Sequence, residues 1–235
     1  LDLIFKNGSP LFNKENMTTA PLSLEHIIRP SNITDKKPPV LFMLHGYGSN
    51  EDDLFSFAAE LPAEFCIISL RAPYVLQPMG YAWYAINFDA EHGKWSDDEQ
   101  AKDSREKIVK FMDESCDAYY LDKENITLLG FSQGTILSYA VALSYPEKVK
   151  NVVALSGYIN EKILVDGFEK KDFSSLQIYI SHGQVDQVIP VEWAQRAPTF
   201  LKKLGISHSY EEFPAGHGVA PQNFYSFQRW LQQKV

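Results

Sequence analysis

The sequence predicts an α/β fold: a mostly parallel central sheet with helices on both faces. Two observations predict it. Short, wholly apolar runs recur along the chain, as expected of strands buried on both sides. Segments with apolar residues at helical spacing separate them, and strand–helix alternation builds parallel sheets. A chain of 235 residues suits one domain, spanning 1–235 with residues 1–20 as an N-terminal arm that lacks clear periodicity.

Leu24–Arg29 reads as a strand stopped by Pro30, and the polar stretch Ser31–Pro39 as a turn. Val40–His45 is a buried strand. Asn50 is placed to cap a helix opening with Glu51, Asp52 and Asp53, acids that favour the positive helix end. Phe65–Leu70 is the next strand. Arg71–Trp95 shows no obvious element, yet it carries Tyr74, Tyr81, Trp83, Tyr84, Phe88 and Trp95. It reads as an ordered excursion over the strand ends that walls a pocket. Ser96 and Glu99 form a capping box before a helix with Ala101, Ile108, Met112 and Cys116 on one side. Strands follow at Asn125–Leu129, Asn151–Leu155, Gln177–Ser181 and Ser209–Phe213, with a helix after Ser132. Trp193, Ala197, Phe200, Leu201 and Leu204 mark a helix kinked at Pro198, and Phe224, Phe227 and Leu231 mark the last helix.

Composition removes several classes of function. A formal net charge of −8 repels phosphate backbones, so nucleic acid is not an expected partner. No run approaches the roughly 20 apolar residues of a membrane helix, so no stable membrane insertion is expected. The expected location is cytoplasmic; a removed leader stays open because the chain begins at Leu1 rather than Met. The two cysteines, Cys66 and Cys116, form no CxxC pair, and Cys66 reads as a buried small hydrophobe. There is no HExxH and no histidine spacing for a metal, and neither GxGxxG nor GxxxxGK[ST] occurs, so no metal or cofactor is called for.

Ligands of such sheets bind at the carboxyl ends of the strands. Leu128-Leu129-Gly130-Phe131-Ser132-Gln133-Gly134 contains G-x-S-x-G between an apolar strand and a helical stretch. The two glycines remove side chains that would clash in a tight, strained turn, which lifts the Ser132 hydroxyl above the sheet as a nucleophile. A serine needs a base. Among the later histidines, His208 lies at the wrong end of the last strand and His182 suits loop support. His217, in Pro214-Ala215-Gly216-His217-Gly218 after the last strand, is the candidate base, its flanking glycines freeing the loop. Asp186, in His182-Gly183-Gln184-Val185-Asp186, follows the preceding strand and is the acid that would orient it. The bland reading of Asp186 is a turn former. Acyl transfer needs two N–H donors for an oxyanion. Gln133 supplies one, and the loop His45-Gly46-Tyr47-Gly48 supplies the other through Tyr47; the His45 ring reads as structural. Loop positions place Trp83, Phe131, Val188 and Val219 as substrate contacts.

The HGYG loop, GFSQG with Pro146-Glu147 after the helix, Leu155-Ser156-Gly157, HGQVDQVIP and the PAGHG loop occur in order from about Val40 to the end. Together they resemble the phospholipase/carboxylesterase family, which includes acyl-protein thioesterases. The resemblance implies an α/β-hydrolase fold with little or no cap. It also implies metal-independent cleavage of carboxylic esters or thioesters by Ser132, Asp186 and His217, with Tyr47 and Gln133 at the oxyanion. Two departures stand out: Thr135 replaces a frequent second glycine, and Trp83-Tyr84-Ala85 replaces the usual Trp-Phe-Asp, with Phe88-Asp89 further on. The expected activity is a serine carboxylesterase acting on small-molecule esters of short to medium acyl chains. A lysophospholipase or thioesterase of longer chains is the alternative within the class, and a non-catalytic ligand-binding protein the alternative outside it. A homodimer is compatible with the sequence and not specified by it.

Overall fold

The computed structural model describes residues 21–89 and 93–235, without the side chains of 87–89 and 93–95. The expected arm over 1–20, and the rings of Phe88 and Trp95, lie outside the described residues.

In chain order the strands begin with β1 (His26–Arg29), β2 (Val40–Leu44) and β3 (Cys66–Leu70), with helix α1 (Asp52–Phe55) between the last two. Two hairpins follow: β4 (Tyr74–Val75) with β5 (Tyr81–Ala82), and β6 (Ile86–Asp89) with β7 (Gly93–Ser96). Then come α2 (Asp98–Ala118), β8 (Ile126–Phe131), α3 (Gln133–Ser144), β9 (Asn151–Leu155) and β10 (Gln177–Gly183). Helices α4 (Val191–Ala194) and α5 (Arg196–Lys203), strand β11 (Ser207–Phe213) and helix α6 (Pro221–Gln232) complete the order. The main sheet has seven strands in the order β1-β3-β2-β8-β9-β10-β11. Only β1 runs antiparallel to its neighbour; every other pairing in this sheet is parallel.

Why the strands read as apolar runs is visible in their burial. Every residue of β2, β3 and β9 is buried. Side chains alternate between faces along a strand. Phe42, Leu44, Leu128 and Val152 join one core with Ile108, Met112, Leu137 and Leu201 of the helices. Leu41, Met43, Leu129 and Val153 join the other with Leu54, Phe224, Phe227 and Leu231. Helix α3 is buried all round, in keeping with a sequence whose residues are mostly apolar or small.

The structure corrects several expectations. The first strand starts at His26, not Leu24, while β10 and β11 extend to Gln177–Gly183 and Ser207–Phe213. The excursion after β3 is not without elements, since it folds as the two hairpins. Helix α2 is capped by Asp97, whose carboxylate accepts the Gln100 N–H, and not by a Ser96–Glu99 box. Ser96 is instead the last residue of β7. The kink expected at Pro198 appears as a break at Gln195, between α4 and α5. The reason is that proline disrupts the turn before it: lacking an N–H, Pro198 gives nothing to the carbonyl of Ala194, where α4 ends. Helix α1 opens at Asp52 rather than Glu51, with Glu51 at the N-cap position; Asn50 stands one residue earlier, its side-chain oxygen accepting the Asp52 N–H at 3.0 Å.

Candidate active site

The loops after β2, β8, β10 and β11 meet at the carboxyl ends of the strands. Ser132 stands between β8 and α3 with φ 54° and ψ −116°, a conformation that costs about 1–3 kcal/mol and that the surrounding structure must impose. Close approach explains the glycines around it. A Cβ on Gly134 would lie 1.9 Å from the carbonyl oxygen of Leu44, and one on Gly130 2.5 Å from that of Gly134. The backbone N–H of Ser132 donates to Leu155 O at 2.9 Å, tying the turn to β9.

Ser132 Oγ lies 2.9 Å from His217 Nε2, and His217 Nδ1 lies 2.7 Å from Asp186 Oδ2. The structure therefore brings together three residues separated by up to 85 positions. A carboxylate can only accept, so Nδ1 carries the imidazole proton and Nε2 is free to accept from the hydroxyl. Asp186 Oδ1 accepts the N–H groups of Val188 and Ile189 at 2.8 and 2.9 Å. Burial alone pushes the Asp186 carboxyl up; the bonds from His217, Ile189 and Val188 outweigh it and hold the group below the ordinary carboxylate range. The Phe131 ring packs against the imidazole, with ring centres 4.9 Å apart.

The loops carrying Asp186 and His217 are zipped together. Gln184 N–H donates to Phe213 O at 2.8 Å and Val185 N–H to Ala215 O at 3.1 Å. A Cβ on Gly183 would strike Gly216 O at 2.2 Å, whereas one on Gly218 would meet nothing. The glycine that this approach demands is Gly183, rather than those flanking His217. It belongs to the sequence HGQVD, but only the partner strand reveals its purpose.

The expected oxyanion donors also sit at the site. Among the described residues the N–H groups of Tyr47 and Gln133 have no hydrogen-bond acceptor. The loop after β2 passes beside the serine, since a Cβ on Gly46 would be 3.4 Å from Ser132 Cβ. His45 beneath it is fully buried, its Nε2 accepting the Ala72 N–H at 3.1 Å, and burial lowers its pKa. Its Nδ1 lies 2.7 Å from Gly46 O, so both ring nitrogens engage the backbone.

Trp83 is not a pocket wall. Its side chain is fully buried, and its indole N–H donates to His45 O at 2.9 Å. An indole N–H cannot be left unpaired in a core, so the ring turns under the loop instead of facing the site. Val188, 53% exposed, stands on the rim, and Phe131 and Val219 are partly buried against the second core. The Gln133 side chain is a residue that sequence reasoning missed. Its Oε1 accepts the Trp83 N–H and its Nε2 donates to Tyr84 O, both at 2.8 Å. The available signal was a long amide at the start of a mostly apolar helix, where burial forces it to find partners.

A family model described as Phospholipase/Carboxylesterase matches residues 25–235. The chain belongs to the phospholipase/carboxylesterase family. The match to this family starts ahead of Val40, where the motifs begin, and so takes in β1. A probable carboxylesterase of Oryza sativa subsp. japonica is 28% identical over 156 residues, which is 66% of this chain and 58% of that protein. Acyl-protein thioesterase 1 of Mycosarcoma maydis is 24% identical over 225 residues, 85% of this chain and 92% of that one. The carboxylesterase of Bacillus cereus superposes with a TM-score of 0.77 at 21% identity, covering 91% of this chain and 95% of its own. The α/β-hydrolase fold is thereby shared. Among the described residues no helix is long and apolar enough to cross a membrane.

Proposed function

We propose that this member of the family is a serine carboxylesterase that hydrolyses carboxylic esters of short to medium acyl chain through an acyl-serine intermediate. The observation that carries the reading is the chain of contacts from Ser132 Oγ through His217 to Asp186, 2.9 and 2.7 Å long, beside two unengaged N–H groups.

Ser132 Oγ attacks the ester carbonyl carbon while His217 Nε2 takes its proton. The N–H groups of Tyr47 and Gln133 hold the resulting oxyanion, and Asp186 stabilises the imidazolium. His217 then hands the proton to the departing alkoxide oxygen as the C–O bond breaks. A water molecule attacks the acyl-serine, giving a proton to the same nitrogen, and the acid leaves as Ser132 regains its hydrogen. Phe131, Val188 and Val219 are the proposed acyl contacts. With Trp83 and Tyr84 occupied under the loop, this small apolar surface favours a short chain. The longer-chain reading draws on the exposed side chains of Val185 and Trp193, which like Val188 lie on the segments that follow β10, and on the thioesterase relative.

The test is hydrolysis of p-nitrophenyl acetate, butyrate, octanoate and palmitate by wild type and Ser132→Ala. The expected result is a maximum at butyrate or octanoate and a loss of several orders of magnitude in the variant. A maximum at palmitate transfers the assignment to the long-chain reading. Equal rates in both proteins, or no labelling of Ser132 by a fluorophosphonate, favour a non-catalytic binding protein.

A further inference from the structure

His182 lies in the run of buried residues that closes β10 and is itself fully buried. Its Nε2 lies 2.9 Å from Ile189 O and 3.3 Å from Asp186 Oδ2. Both neighbours only accept, so Nε2 carries a proton. Nδ1 is buried with no partner among the described residues, which makes it the bare nitrogen of a neutral ring. Two consequences follow for Asp186. The bond to Ile189 O closes the turn 186–189, and that turn aims the N–H groups of Val188 and Ile189 at Asp186 Oδ1. The same N–H also sets its positive end beside Oδ2, the oxygen that accepts the hydrogen bond from His217 Nδ1–H.

We propose that His182 is a positioning residue for the acid: its Nε2–H fixes the 186–189 turn and, with it, the carboxylate that orients His217. This rests on the reading of Ser132, His217 and Asp186 as a catalytic triad. Among the described residues the ring makes no hydrogen bond to Ser132, and its proposed action runs through Asp186.

Two substitutions separate donor from shape. In His182→Gln the amide Nε2 can reach the place of the ring nitrogen and donate; in His182→Met a side chain of similar length cannot. The expected result on p-nitrophenyl butyrate is a loss of about tenfold in kcat for His182→Met with KM unchanged, and recovery to within about threefold in His182→Gln. The low-field proton resonance of His217 Nδ1–H should move in His182→Met and return in His182→Gln. In an Asp186→Asn background, His182→Met should cost less than about twofold, because its route of action is already gone. The proposal is overturned by a folded His182→Met with wild-type kcat and an unmoved resonance. Equal damage in Gln and Met, or the full loss persisting without the carboxylate, overturns it as well.

Should His182→Met not fold, 15N-histidine spectra of wild type and Asp186→Asn decide. The His182 ring must hold its proton on Nε2 and its signal must respond to Asp186→Asn; protonation at Nδ1, or indifference to that change, refutes the inference. These spectra need no substrate. A wild type that hydrolyses no ester defeats the proposed function, while the resonances still read the positioning.

Discussion

Asp186→Asn exchanges one oxygen for an NH₂ group, and the surroundings dictate which way the amide turns. Oδ1 faces two backbone N–H donors at 2.8 and 2.9 Å, so the amide oxygen must stay there. The NH₂ then faces His217 Nδ1, 2.7 Å away in the parent, and that nitrogen must become an acceptor. The ring proton moves to Nε2, where it points at Ser132 Oγ and blocks proton removal. Two costs add. The imidazolium formed during attack loses a carboxylate about 4 Å from its charge centre, worth about 4 kcal/mol at an effective dielectric constant of about 20. Restoring the productive tautomer breaks the new amide bond, about 1 kcal/mol more. The total of about 5 kcal/mol corresponds to several thousand-fold in kcat. The assay is kcat and KM on p-nitrophenyl butyrate, alongside thermal unfolding to show that the fold persists. A folded variant within tenfold of wild type would refute the proposed triad. Stability adds a second readout. The Asp186 carboxyl titrates below its ordinary value in the folded chain, so its contribution is present above the unfolded carboxylate pKa of about 3.9 and is lost as pH falls through the folded value. The variant should lack this part of the acid-side decline.

Gly134→Ala places a Cβ 1.9 Å from Leu44 O, so α3 must move off β2; a loss of at least about 3 kcal/mol by denaturant unfolding is expected. Gln133→Met leaves the Trp83 N–H and the Tyr84 carbonyl unpaired in the core, costing about 2–6 kcal/mol, and a loosened oxyanion loop should show in kcat more than in KM. Burial pushes the thiols of Cys66 and Cys116 up to about 12, so native protein at pH 8 should resist iodoacetamide and take up two equivalents only after unfolding. Gly157→Ala drives a Cβ to 2.5 Å from Thr135 Cβ; the drop in melting temperature should shrink when Thr135→Gly is added, and an equal drop in both backgrounds contradicts the contact.

What could be read from the sequence followed how local its cause was. Strand β9 has the limits the sequence implies because burial on both faces demands an unbroken apolar run. Ser132, Asp186 and His217 were legible because each sits in a short motif directly after a strand. The hairpins between β3 and α2 were not legible: their strands are two to four residues long, too short to show a period. Trp83 misled for a related reason. An aromatic ring in a loop looks like pocket lining until the acceptor of its N–H is known, and that acceptor is His45 O, 38 residues earlier. The Gln133 clamp reaches back 49 and 50 residues, beyond any local pattern.

These long-range contacts bear on how the proposed oxyanion donors keep their distance. Tyr47 belongs to the loop after β2 and Gln133 to the first turn of α3, and no hydrogen bond joins the two segments directly among the described residues. The connection runs through the hairpin segment instead: the Gln133 side chain grips the backbone at 83 and 84, and the Trp83 ring grips His45 O at the root of the other loop. A second strap holds the tip, where Gly48 N–H donates to Tyr81 O and Tyr81 N–H to Ser49 O, at 2.9 and 2.8 Å. Thr135 secures the serine side, its hydroxyl lying 2.7 and 2.6 Å from the carbonyl oxygens of Gly130 and Leu155. Where the family often has glycine, this chain thus has a latch that ties α3 back to β8 and β9. Holding Ser132 at positive φ requires such fastening, because a free turn would relax out of it. The departure at 135 therefore acts on the rigidity of the site rather than on its list of reacting groups.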